Sequence, residues 1–73
     1  MYTVEITGWE RGFNKVACTS TLRSVAKLSL GEAKRTTDAV LDGSTQRVRL
    51  PSEEEARRLV EFLQMHGAVV RLA

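Results

Sequence analysis

Seventy-three residues make one domain spanning 1–73, near the lower size at which a chain buries enough surface to fold without disulfides or metals. A net charge of +2 is too small to imply nucleic-acid binding by itself, and the single cysteine, Cys18, excludes an internal disulfide and suits a reducing compartment. No apolar run approaches the roughly 20 residues of a spanning helix, and MYTVEITGWERG lacks the basic-then-apolar layout of a signal peptide, so neither membrane nor export is expected and the predicted location is cytoplasmic.

YTVEIT alternates, with Tyr2, Val4 and Ile6 on one face and Thr3, Glu5 and Thr7 on the other, which predicts a half-buried strand ending at Gly8. GWERGF reads as a loop, in which Trp9 serves either as an exposed contact or as a lid on the core. Asn14 is a good N-cap for a helix from Lys15, with Phe13 placed to staple onto Cys18. On that helix Cys18, Leu22, Val25 and Ala26 form the expected core stripe, while Val16, Thr19, Ser20, Arg23 and Lys27 form an exposed face. Ser29 and Glu32 make a capping box for a second helix that is expected to bury Leu30, Ala33, Thr37, Val40 and Leu41 and to stop at Asp42-Gly43. TQRVRL alternates as a second strand, with Val48 and Leu50 inward and Arg47 and Arg49 outward. Ser52 and Glu55 repeat the capping box, and Ala56, Leu59, Val60 and Leu63 make the core stripe of a third helix. Gly67 fits its C′ position, and AVVRL closes the pattern as a third strand.

The predicted fold class is therefore α/β two-layer (α+β), in the order β-α-α-β-α-β, with a three-stranded sheet covered on one face by three helices. Charge along it is uneven. Residues 14 to 37 carry Lys15, Arg23, Lys27, Lys34 and Arg35 against Glu32 alone, whereas residues 52 to 66 carry four glutamates against Arg57 and Arg58. Such a layout can orient a charged partner during encounter.

Little in the sequence suggests catalysis. His66 and Cys18 are too few ligands for a histidine-cysteine metal site, and no cofactor or metal is expected. His66 reads as a surface imidazole at a helix C-terminus, and Cys18, on the apolar stripe, as a buried inert thiol. Glu53 with Arg57 and Glu54 with Arg58 have the spacing of ordinary exposed helix pairs. Glycines 8 and 12 lack the lysine-serine ending of a phosphate loop. What the core does not explain is the basic, partly apolar face of the first helix, a kind of surface that docks a partner.

The segment NKVACTSTLRSVAKLSLGEAK, residues 14 to 34, resembles the helix-turn-helix of the C-terminal domain of the bacterial ribosomal stalk protein, the L-seven/L-twelve family. Its NKVA opening, Arg23 and the L-x-L-x-E-A-K ending fall in register without a gap, and the acidic helix running into HGAVVRL is similar to the family's final helix-glycine-strand. The resemblance implies the same element order. It also implies a domain that recruits and stimulates translational GTPase factors through its first two helices, with Val16, Arg23 and Lys34 at the matching positions. Thr19 and Ser20 stand where the family tends to have a large aliphatic residue and a lysine, and Ser29 replaces the usual glycine of the turn. The chain opens on Met1 just before the first strand, which suggests a free-standing or excised domain without the family's dimerising region and hinge. A more distant likeness in shape is to adaptors of the Clp protease, although the acidic and histidine residues they use to hold an N-terminal amine are not evident.

The expected function is thus a protein-protein interaction module, translation- or ribosome-associated, and not an enzyme. Val16, Thr19, Ser20, Arg23, Lys27 and Lys34 are its predicted contact residues. The alternative is a small basic nucleic-acid-associated protein using Lys15, Lys27, Arg47, Arg49 and Arg71.

Overall fold

Side-chain caps start the helices and alternation sets the strands. The computed structural model describes residues 1–73. Its elements are β1 Tyr2–Trp9, α1 Lys15–Ser24, α2 Leu30–Leu41, β2 Gln46–Leu50, α3 Glu53–Met65 and β3 Ala68–Leu72. Asn14 Oδ1 accepts the Ala17 N–H at 3.0 Å and opens α1. At α2 the capping box is complete: Ser29 Oγ accepts from the Glu32 N–H, and the Ser29 N–H donates to Glu32 Oε1. Those bonds hold the Glu32 carboxyl below its ordinary value. At α3 only half of the expected box forms, because Ser52 Oγ accepts from the Glu55 N–H but Glu55 does not return the bond.

The sheet order is β2-β1-β3, antiparallel throughout, with β1 in the centre. Val4 and Ile6 of β1, Val48 and Leu50 of β2, and Ala68 and Val70 of β3 point to one side, where Leu22, Val40, Leu59 and Leu63 of the three helices close one hydrophobic core. The other side of the sheet carries no helix. This is the predicted two-layer α+β architecture.

Four local departures from the expected pattern have identifiable causes. First, β1 does not stop at Gly8. A bulge shifts its register against β3 so that Ile6 faces Val70 while Gly8 faces Val69, leaving Thr7 as the extra residue. Without that extra residue Trp9 would share the outward face of Thr3 and Glu5. With it, Trp9 pairs with inward-facing Ala68, and its Nε1 donates to the Leu41 carbonyl at 3.2 Å. The indole, tilted on Phe13 at a centroid distance of 6.2 Å, is a half-exposed lid on the helical layer. Second, α1 ends at Ser24, so Lys27 is not on its exposed face, while Val25 and Ala26, just past its end, still pack half-buried against the core as expected. Lys27 takes a left-handed conformation, φ 61°, which for a non-glycine residue costs on the order of 1 kcal/mol. Third, Leu30 is not buried: at the first position of α2 it overhangs the core and is 45% exposed. Fourth, Leu41 and Val60 are only partly buried.

The turn from α3 to β3 holds the β1–α1 loop. Gly67, at φ 91°, accepts the Glu10 N–H on its carbonyl oxygen at 2.8 Å, and the His66 carbonyl accepts from the Asn14 N–H at 2.9 Å. These carbonyls, left over at the end of α3, are thereby satisfied. A Cβ on Gly67 would lie 2.8 Å from Phe13 Cα, so only glycine allows the approach.

Leu59 and Leu63 are 0% and 1% exposed. Leu59→Ala or Leu63→Ala is expected to cost about 2 to 5 kcal/mol in urea unfolding, and a loss under about half a kcal/mol at both would contradict their central place in the core. Gly67→Ala combines left-handed strain with a backbone clash and is expected to cost about 2 kcal/mol or more by the same measurement. An unchanged midpoint would mean that the Phe13 backbone moves away freely.

Candidate functional site

Two helices joined by a short turn must diverge somewhere, and here they leave a cleft on the side away from the core. Five of the six predicted contact residues, Val16, Thr19, Ser20, Arg23 and Lys34, line this cleft of about 430 Å³ between α1 and α2. Val16, Thr19 and Ser20 and Arg23 recur at helical spacing along α1, and Lys34 projects from the first turns of α2. Lys27 does not join them. It lies beyond the end of α1, where its Nζ donates to the Ser24 carbonyl at 3.1 Å.

Three further residues line the cleft: Lys15, Leu30 and Asp38. Lys15 Nζ reaches Asp38 Oδ1 at 3.0 Å, an exposed ion pair that ties the start of α1 to the middle of α2. Leu30, Ala33 and Thr37 keep helical period, which predicts Leu30 in the core, yet it is exposed. Its position ahead of the rest of the stripe, next to the cap, was the available signal that it would overhang. Thr19 is half-buried instead of exposed. Its Oγ1 donates to the Lys15 carbonyl at 2.9 Å and lies 3.0 Å from Thr37 Oγ1, so that with one proton on each hydroxyl Thr37 closes the second bond. Thr19 thus joins the floor of the cleft to α2.

The result is a small apolar spot ringed by cations. Val16 is 75% exposed and, with Leu30, supplies the apolar surface. Arg23 and Lys34 have no ion-pair partner, while Asp38 neutralises Lys15. The cleft therefore presents net positive charge beside exposed apolar groups. Cys18 sits on the opposite side of α1, where burial pushes its thiol up to about 11 and keeps it protonated at neutral pH.

A larger groove, about 740 Å³, separates α2 from the free edge of β2. Carboxylates of Glu32, Asp38 and Asp42 alternate there with Arg35, Arg47 and Arg49, so it carries no net charge, and its apolar lining of Leu28, Ala39 and Val48 is buried or half-buried, unlike exposed Val16 and Leu30. Volume alone does not mark it as a site.

The outer face of the sheet carries the third feature. Glu5 lies between Arg47 and Arg71 in the register, and its carboxylate is 9% exposed beneath them. Arg71 Nε donates to Oε1 at 2.9 Å with its Nη2 in ion-pair contact at 2.8 Å, and Arg47 Nε donates to Oε2 at 2.9 Å. The Arg71 hydrogen bond, seconded by Arg47, outweighs the desolvation of Glu5 and holds its carboxyl below the ordinary 4.5. Among the expected helix pairs, Glu53–Arg57 forms at 2.9 Å and Glu54–Arg58 does not.

No protein-family model and no curated protein matches the chain. The cleft is therefore read from its own residues, and no helix of the chain is long and apolar enough to cross a membrane.

A group whose folded pKa lies below its unfolded value stabilises the fold fully above the unfolded pKa and ceases to do so as pH falls through the folded one. Glu5 should therefore give the wild-type chain an acid-sensitive component of stability that begins to fade as pH falls past 4.5. Denaturant melts between about pH 6 and pH 2 should show a shallower acid loss for Glu5→Gln than for wild type. Identical pH profiles would mean that the two arginines do not hold the carboxylate in solution.

Proposed function

We propose that the chain is a protein-binding module and not an enzyme, and that the α1–α2 cleft receives its partner. The observation that carries this reading is the pairing of exposed Val16 and Leu30 with the unpaired cations Arg23 and Lys34 in one concave surface. Exposed apolar groups inside a charged rim are what a docking site needs: the apolar centre supplies affinity and the rim supplies orientation and rate. The complementary partner presents apolar side chains flanked by carboxylates.

By its resemblance to the ribosomal stalk domain, the proposed partner is a translational GTPase, met in the cytoplasm in association with the ribosome. Thr19 is committed to α2 and Ser20 is short and uncharged, so this cleft offers less apolar grip and less charge than the resemblance would supply. Binding is accordingly weak and fast-exchanging, with electrostatic steering by Arg23 and Lys34.

The test is isothermal titration of the purified domain against a purified elongation-type translational GTPase. Arg23→Glu and Lys34→Glu are each expected to weaken binding by about fivefold or more, on the order of 1 kcal/mol. Both should leave the urea midpoint nearly unchanged, because neither side chain has a structural partner. Arg58→Glu, exposed and unpaired on α3, serves as the control and should be silent. Equal losses at all three positions would indicate diffuse electrostatics and remove the cleft from its role, and so would an Arg23→Glu chain that no longer folds.

A further inference from the structure

We propose that the uncovered face of the sheet is a second docking surface, one that takes the phosphate backbone of a nucleic acid and works independently of the α1–α2 cleft. Arg47, Arg49 and Arg71 stand on this face around Glu5, with Thr3 and Thr7 beside them. Three guanidiniums against one carboxylate leave a net charge of +2, which equals the net charge of the whole chain. The remainder of the molecule is therefore neutral in total, its cationic cleft being offset by acidic residues elsewhere.

The way the arginines are held favours anion capture. Arg71 spends its Nε and Nη2 edge on Glu5 and Arg47 only its Nε, yet their side chains remain 71% and 67% exposed. Glu5 removes one unit of charge from the face, but it also fixes two guanidinium planes before any ligand arrives. That reduces the side-chain entropy lost on binding. Arg49 pairs across the strand with Thr3 and has no carboxylate partner, so its fork is wholly free.

Spacing and shape point to a backbone ligand. Arg47 and Arg49, two residues apart on one strand, sit about 7 Å apart, and Arg47 and Arg71 are two strand spacings apart, roughly 10 Å. A duplex carries one charge per roughly 1.7 Å of axis, so a patch of this size meets several phosphates at once. No aromatic side chain stands on this face to stack a base, since the bulge at Thr7 turns Trp9 to the other side. The three helices all pack on its other side, so none stands on this face to enter a groove. A protein partner would want an apolar anchor, and Val69 is the only apolar residue the outer register offers. The face reads charge and not sequence.

The experiment is fluorescence anisotropy of a labelled RNA duplex titrated with the intact domain between about 50 and 200 mM salt. At the low end a dissociation constant of roughly 1 to 100 μM is expected, with a log-log salt slope of about −2 to −3 and similar values for duplex DNA. Arg49→Gln, which breaks no ion pair, should weaken binding about fivefold and make the slope shallower by about one. Arg71→Gln should act in the same direction, and Arg23→Gln in the α1–α2 cleft should change neither quantity. Absence of binding at the lowest salt, an Arg49→Gln chain indistinguishable from wild type, or an equal loss with Arg23→Gln would each overturn the proposal. Equally tight, Arg49-dependent binding to phosphatidylserine vesicles would overturn its assignment to nucleic acid.

Discussion

Most of the tertiary arrangement depends on the close passage of the Phe13 backbone over Gly67. At that point the loop leaving β1 meets the turn leaving α3, and the carbonyls of His66 and Gly67, which α3 cannot use, accept the N–H groups of Asn14 and Glu10. The contact fixes where α1 begins relative to the end of α3 and the start of β3. From there Asn14 caps α1. Cys18 and Leu22 then drop into the core, and Val16 and Arg23 are carried to the outside. The cleft is thus positioned by a backbone contact in which none of its own residues takes part.

Its lining residues consequently owe little to stability. Arg23, Lys34 and Val16 are exposed and make no bond that the fold needs, whereas Thr19 and Asp38 bridge α1 to α2 and serve the structure as well as the surface. The opposite side of the molecule follows a different logic. There, Glu5 is held under two arginines, and the same interaction that settles a carboxylate on the central strand also orients the basic groups around it. A molecule only 19 Å across its shortest dimension has two faces of different character, one apolar with a cationic rim and one flat and polar.

Element order, helix starts and most of the core were legible in the sequence because they depend on local chemistry. Asn14, Ser29 and Ser52 cap where side-chain oxygens three residues ahead of an N–H predict, and alternation placed Val48 and Leu50 inward. The misplacements share a different cause: each depends on what lies next to the chain in space. Trp9 changes sides because one extra residue in β1 breaks the period of two. Lys27 leaves the helical face because α1 ends three residues earlier than its pattern allows. Leu30 keeps helical period yet has nothing above it, and Thr19 keeps the exposed period yet meets Thr37. Five of the six predicted contact residues line one cleft because helical spacing alone collects them on one side of α1 or α2. Leu30 and Asp38 were missed because their part in it requires knowing how the two helices cross.

The central position of β1 also bears on how the domain is made. Glu5 finds its neighbours 42 and 66 positions downstream, in Arg47 and Arg71. At a synthesis rate of roughly 5 to 20 residues per second, β1 waits several seconds for its second flanking strand. During that interval Val4 and Ile6 belong to an unpaired strand of the kind that self-associates. A lone carboxylate between two such residues is a barrier to stacking of identical segments. Glu5, which ends as the anchor of two arginines, is at first the charge that keeps nascent copies of this strand apart.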